Sequence, residues 1–383
     1  MLEEGRGRLQ HPDRGAPVGC PDVIRIRRGR ALEVNRARPG VFSIVVEVDG
    51  TKARAIAYED LTGPVEPGDT LVLNTGAVAL GLGTGGAHFV IAVEGGADVD
   101  PTGEGHAMKL RYTPMQHAVL PVEETHRGHI DSFGGLDGFP IIVASLHSAL
   151  APACIAAKVA RPEAHVAFVM TDGGALPIAF SEAVATLKDA GLLDVTITTG
   201  QSFGGDLEAV NKFSGIMAAR AVAQSDVVVM GAGPGHLGTG SRYGFAAMET
   251  GEAVNAVAAL GGRAILAPRL SFADERTRHQ GLSHHTVTAL GVAALAGAEI
   301  ALPSLSPERH DAIVARLEDA KLLDFHRLVE VDLGDDVENA LRSNDIPLTS
   351  MGRSFEDDPD YFRAAAAAAV FAVRGNAAIA SRP

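Results

Sequence analysis

The chain has 383 residues, 46% of them hydrophobic and 21% charged, and a net charge of −14. That length suits two or three domains with substantial cores. The acidic balance argues against a general nucleic-acid binder, which needs clustered Lys and Arg to neutralise phosphates.

Residues 1–22 carry Pro12, Pro17 and Pro21 among several glycines and read as a loose tail. Arg25, Arg27, Arg28, Arg30, Arg36 and Arg38 follow. A solvated edge of a β-rich domain accounts for them, with RNA or membrane-surface contact as the lesser alternative. Residues 23–93 show short β-type runs between turns, among them Val41–Val48 before the hairpin signal Asp49-Gly50. The spacing predicts a small antiparallel β-barrel-like domain. Its glycine loop, Gly81–Gly86 followed by His88, is either a turn between strands or one half of an interdomain ligand grip. Residues 94–139 are Gly-rich and read as an interdomain arm.

From Pro140 the pattern alternates. Strands are predicted at Ile141–Leu146, His165–Met170, Val195–Thr198, Val227–Met230, Arg263–Pro268 and Glu299–Leu302, with Arg327–Asp332 as an edge. Helices are predicted between them, at Ala149–Ala160, Ile178–Ala190, Glu208–Gln224, Ala246–Leu260 and His284–Leu295. Further helices follow at Pro307–Leu322, Asp335–Ser343 and Asp357–Val373. Residues 140–383 therefore read as a Rossmann-like α/β domain, with a doubly wound, mainly parallel sheet. The near-apolar run Ala364–Val373 is too short to span a bilayer, and no apolar segment follows the basic start to form a secretory signal. Cys20 and Cys154 make neither a CxxC nor a disulfide framework. A cytoplasmic protein with no membrane or nucleic-acid partner is expected, and homo-oligomerisation is left open.

Ligands of such sheets bind beyond the carboxyl ends of the strands. The segment after Val227–Met230 is rich in glycine: Gly231, Gly233, Gly235, Gly238 and Gly240, with His236 and Arg242. Backbone amides there can approach an anion closely, and Arg242 offers a fork to phosphate oxygens. No Lys-Ser or Lys-Thr follows Gly238, so the loop is not a P-loop. The GxGxxG match Gly233–Gly238 is interrupted by Pro234, and Arg269 stands where a dinucleotide fold places its acid. An arginine there could meet a 2′-phosphate, which keeps an NADP-dependent oxidoreductase as an alternative. Asp172 and Asp206 each neighbour paired glycines; such carboxylates bind ribose or Mg²⁺ or act as a general base. Local turn bonding or, for Asp206, helix capping explains them equally. His279, His284 and His285 form the densest histidine group. His284 and His285 are consecutive at a helix start and diverge by about 100°, so no metal centre is assigned. His284 is instead expected as a neutral proton acceptor at a helix N-terminus, and His279, with Arg269 and Asp274, as an anion contact.

Leu80–Gly86, Met170–Pro177, Phe203–Asn211, Ser271–Asp274 and Gly281–Thr286 together resemble a family from actinobacteria and related Gram-positives catalogued only as a domain of unknown function. The resemblance spans about Val23 to Leu302 and implies a cytosolic bacterial protein, with no activity to transfer. The residues themselves point to a small anionic metabolite, phosphorylated or nucleotide-like, bound at the carboxyl end of the sheet. Acid–base catalysis by His284, Asp172 and Asp206 is expected, and the cofactor is unknown. A non-catalytic metabolite sensor or assembly protein is the alternative of another class.

Overall fold

A computed structural model of the protein describes residues 24–83, 85–97 and 105–380, with side chains as far as residue 375. The expected loose tail and Cys20 lie outside the described residues. The chain divides into two compact units, Met1–Val99 and Asp100–Pro383.

The first unit is a closed five-stranded barrel of β1 (Ile26–Arg38), β2 (Val41–Val48), β3 (Thr51–Tyr58), β4 (Thr70–Asn74) and β5 (Ala87–Val93). All its pairings are antiparallel except β3 with β5. Asp49 and Gly50 both take positive φ, 51° and 73°, as a two-residue hairpin of this twist requires. Closure depends on Gly29, which pairs with Val48 on one side and Leu71 on the other. A Cβ there would come within 2.9 Å of the Glu47 carbonyl and closer still to Val46 and Leu73. Ile44, Val46, Leu71 and Leu73 fill the interior. The arginines lie on the solvated rim, where Arg25 and Arg27 meet Asp49, Arg28 meets Glu94 and Arg36 meets Glu59.

The second unit opens with a short hairpin, β6 (Ala107–Lys109) and β7 (His117–Val119). Its core is an eight-stranded sheet whose neighbours are all parallel. The strands are β8 (Pro140–Ala144), β9 (Val166–Thr171), β10 (Val195–Thr199), β11 (Leu207–Ala209), β12 (Val227–Ala232) and β13 (Arg263–Ala267), then, after a two-residue pair β14 (Leu270–Ser271) and β15 (Gly281–Leu282), β16 (Glu299–Pro303) and β17 (Arg327–Val331). Their order is β11-β10-β9-β12-β8-β13-β16-β17. The fold is thus an α/β sheet preceded by a small barrel.

Continuous apolar strands are explained by the two covered faces. Ile142, Phe168, Met170, Val229 and Ile265 pack beneath α1 (Leu150–Ala160), α2 (Glu182–Asp189), α7 (Asp335–Ser343) and α8 (Pro359–Ala380). Their strand neighbours Ile141, Val143, Val169, Val228 and Leu266 point the other way, towards α3 (Lys212–Met217), α4 (Glu249–Ala259) and α6 (Pro307–Asp319). The short α5 (His284–Thr288) leads into a wider turn at Ala289–Ala293 on that second face. The alanine run of α8 is buried from Ala364 to Ala369, and α8 packs closely on the equally alanine-rich α1. Among the described residues no helix is long and apolar enough to cross a membrane.

The structure corrects one expected helix. Glu208–Gln224 begins as strand β11, which pairs Leu207 to Ala209 with Ile197 to Thr199. The helix starts only at Lys212, because Asn211 accepts hydrogen bonds from the Phe213 and Ser214 amides and forms a capping box with Ser214. β9 and β12 are neighbours whose onward connections diverge, β9 to β10 and β12 to β13, which makes this boundary a switch point of the sheet; β8 and β13 form a second.

Candidate functional site

The glycines after β12 divide into two kinds. Gly231 and Gly233 serve contact between strand ends: a Cβ on Gly233 would lie 2.5 Å from the Ala175 carbonyl, and one on Gly174 would lie 2.2 Å from the Gly233 carbonyl. The Ala175 amide donates to Pro234 O at 2.8 Å across the same seam. Gly235, at φ 89°, and Gly240 face open space. Beyond them the loop folds on itself, with the Thr239 amide donating to Gly244 O and Gly238 bridging Phe245. Arg242 is exposed, its guanidinium 5.1 Å over the Tyr243 ring.

A cavity of about 540 Å³ opens beyond the ends of β8, β9 and β12. His147, Ser181, His236 and Ser350 contribute polar groups to it, and Phe180 and Leu348 contribute apolar ones. The 147 side chain is fixed from both sides. Its Nδ1–H donates to Ala232 O at 3.0 Å, and its Nε2 accepts from the Ser181 hydroxyl at 2.7 Å. Ser181 Oγ in turn accepts the Val184 amide as the N-cap of α2. Burial pushes the His147 pKa down to about 4 and, together with Arg269, pushes His236 down to about 4. Both imidazoles are neutral at physiological pH. Ser148 is bonded to Tyr361 at 2.6 Å and to Ser350 at 2.9 Å.

At the β9–β12 switch point two carboxyl groups meet the end of β9. Asp172 accepts the Gln201 amide at 2.9 Å, and Gly200 is required beside it because a Cβ would strike its carboxylate. Glu249, the first residue of α4, accepts from the Thr171 hydroxyl at 2.9 Å and lies against Gly173. Burial, with a contribution from Asp172 and Glu252, raises the Glu249 pKa to about 6 against the opposing effect of Thr171 and Lys212. Sequence reasoning missed Glu249; its signal was an acid opening the helix that follows the glycine loop.

The loop after β13 gathers charge. Buried Asp274 accepts from Arg276 Nε at 2.9 Å and Nη2 at 2.8 Å, and lies 3.3 Å from Arg353 and 3.5 Å from the buried Arg269. The Arg276 hydrogen bonds hold its carboxyl well below the usual range. Ser271 donates to Asp358 at 2.6 Å, and Arg353 pairs with the same carboxylate at 3.1 Å. Arg269 Nη1 donates to His285 Nδ1 at 3.2 Å, and Arg278 Nε donates to His279 Nε2 at 3.3 Å. Ser283 caps α5, accepting the His285 amide, and Phe245 lies parallel to the His285 ring at 3.9 Å. Burial, reinforced by Arg269, drives His279 and His285 down to about 3 and lowers His284 as well, with Arg278 and Arg269 adding to its shift. The structure therefore brings Arg269, Asp274, His279 and His284 into one group, next to Phe245 at the end of the glycine loop. Arg353 and Asp358 complete it from a segment that no strand-end rule reaches.

Asp206 is placed elsewhere. The chain doubles back from β10 to begin β11, so Asp206 lies level with Thr196 at the amino end of β10, away from the carboxyl-end cavity. There it pairs with Lys188 at 2.5 Å and accepts from the Thr196 amide and hydroxyl at 2.8 and 2.7 Å. Desolvation works against its charge, but these bonds leave its carboxyl below the usual range. The expected helix cap at Asp206 is replaced by this strand–strand tie.

A family model described as a protein of unknown function, DUF3866, matches residues 54–369, most of the chain. The chain belongs to the DUF3866 family. No curated protein matches it. The segment this DUF3866 protein shares with the family model contains the cavity, the switch-point carboxyls and the whole arginine–histidine group.

Proposed function

We propose that this DUF3866 protein binds a small anionic metabolite at the carboxyl end of its parallel sheet and acts on it by acid–base chemistry, in a cytoplasmic setting. One observation carries the reading. Arg269, only 5% exposed, has a buried Nη2 with no hydrogen-bond acceptor among the described residues. It reaches Asp274 only at an ion-pair distance of 3.5 Å, and Asp274 and Asp358 between them serve three arginines, Arg269, Arg276 and Arg353. A buried guanidinium left short of acceptors is costly, and an anionic ligand offsets that cost. Arg269 is held by Asp274 and His285 rather than standing free at the end of β13, which favours a compact anion over the 2′-phosphate of a dinucleotide.

Asp172 and Glu249 supply the acid–base part of the proposal. A carboxyl with a pKa near 6 can both give and take a proton close to neutral pH. The test is calorimetric titration of chelator-treated protein with inorganic phosphate, then with small mono- and dicarboxylates, followed by mass detection of turnover for whatever binds. Arg269→Met should weaken binding by at least about tenfold, the scale of one lost charge-assisted hydrogen bond, while Glu249→Gln should bind normally and lose turnover. Binding unchanged in Arg269→Met sinks the anion assignment, and binding without any turnover in the native protein favours a sensor.

A further inference from the structure

We propose that His279, His284 and His285 form a binding site for a divalent transition-metal ion of the zinc type. One ring nitrogen from each lies within 4.8 Å of the other two. The ring centroids are 5.0, 4.9 and 4.4 Å apart for the pairs 279–284, 279–285 and 284–285. Consecutive histidines at a helix start diverge, and taken alone they make a poor ligand pair. The fold resolves this by bringing a third imidazole against both, so that the three rings form a triangle. His279 ends a short turn at Thr277–His279, and the β14–β15 pairing returns the chain to Ser283, the cap of α5.

The hydrogen bonds show where the lone pairs are. Arginine can only donate, so His279 Nε2 and His285 Nδ1 are bare nitrogens facing the guanidiniums of Arg278 and Arg269. His279 then carries its proton on Nδ1 and donates it to Ser283 Oγ at 2.7 Å, the outer-shell bond that fixes a ligating imidazole. His284 Nε2 is buried and has no hydrogen-bond partner among the described residues. Two of the three rings thus offer lone pairs to cationic groups, and the third has an unused nitrogen. Arg278 is exposed and can swing away from His279. An ion at His285 takes the Nδ1 lone pair that otherwise accepts from Arg269 Nη1, so metal binding also releases that guanidinium. The Phe245 ring stacked on His285 holds one wall of the site.

Three neutral imidazoles suit zinc, cobalt or nickel, and three protein ligands leave a coordination position open. They do not neutralise the ion, and Arg269 adds further positive charge beside it. The open position is therefore suited to an anionic ligand, either hydroxide or the anionic group of the metabolite. Only this last assignment rests on the function proposed above; the metal site itself stands on the three histidines.

The experiment is Co²⁺ titration of chelator-treated full-length protein, followed by visible absorption, with Zn²⁺ competition and metal analysis. One equivalent of Co²⁺ should bind and be displaced by Zn²⁺. His284→Gln, at the partly exposed ligand, should weaken Co²⁺ by about 100-fold or more with an unchanged circular dichroism spectrum, and His285→Gln should do likewise. Ligand loss is expected to exceed the 10- to 100-fold typical of an outer-shell partner. Arg278→Ala, which frees His279 Nε2, should bind Co²⁺ at least as tightly as the native protein. Absence of stoichiometric Co²⁺ or Zn²⁺ binding overturns the site, and so does binding that survives both histidine substitutions. Phosphate binding in chelator is measured separately, so failure of the anion reading and failure of the metal site give different results.

Discussion

His147 shows how a residue that looks chemical from its position can be structural. It follows a buried strand at the carboxyl end of the sheet, yet its two ring nitrogens tie β12 to the cap of α2. Its folded pKa, about 4, lies below the ordinary 6.5. The unfolded chain therefore takes up a proton that the folded one refuses as pH falls from 6.5 to 4. Its contribution is complete above pH 6.5 and is lost as pH falls through that window, by about 3 kcal/mol from the size of the shift. His147→Gln, which keeps one donor and one acceptor, should flatten this part of the acid loss in urea unfolding at pH 7.5 and pH 4.5. An unaltered difference between the two pH values would show that the imidazole is not the group being titrated. The rule of searching the strand ends did find Arg269, Asp274, His279 and His284, because their loop directly follows β13. It could not find Arg353 and Asp358, which come from the segment leading into α8, far from any strand end in sequence. Nor could spacing along the chain show that His285 closes a triangle with His279 and His284.

At the scale of elements, the glycine seam between the β9 and β12 loops distinguishes glycines needed for packing from those free for a ligand. Gly174→Ala would drive a Cβ to 2.2 Å from the Gly233 carbonyl, a backbone atom that cannot rotate aside. The expected cost is about 2 kcal/mol, within the range for over-packing. Gly240→Ala meets nothing within 4 Å and should change stability by less than about 0.5 kcal/mol. Thermal unfolding of the two variants decides the matter, and equal losses would mean that the seam opens freely. The alternation of buried strands and helices was legible because each strand is apolar on both faces, as Ile141 and Ile142 pointing to opposite layers illustrates. β11 was not legible. Leu207-Glu-Ala209 is too short to show a period of two, and its place is set by pairing with Ile197–Thr199 rather than by its own composition. Asn211 is a residue type that caps helices, but Asp206, another such type, drew the expected helix start forward to Glu208.

At the scale of the whole molecule, the two units have separate cores. The barrel core, built on Ile44, Val46, Leu71 and Leu73, shares no residue with the clusters on either face of the parallel sheet. A closed barrel leaves no strand edge to be completed by a neighbour, and the eight-stranded sheet carries helices over both faces. Each unit thus has what independent cooperative folding requires. A protease site placed at the Val99–Asp100 boundary should, after cleavage, give two fragments that each unfold in a single transition. All the groups of the carboxyl-end cavity and of the arginine–histidine site come from the second unit. Co²⁺ should therefore still bind stoichiometrically to the second unit after the barrel fragment is removed, because all three proposed ligands belong to that unit. Loss of Co²⁺ binding in a second unit that remains folded by circular dichroism would show that these residues do not hold the metal on their own.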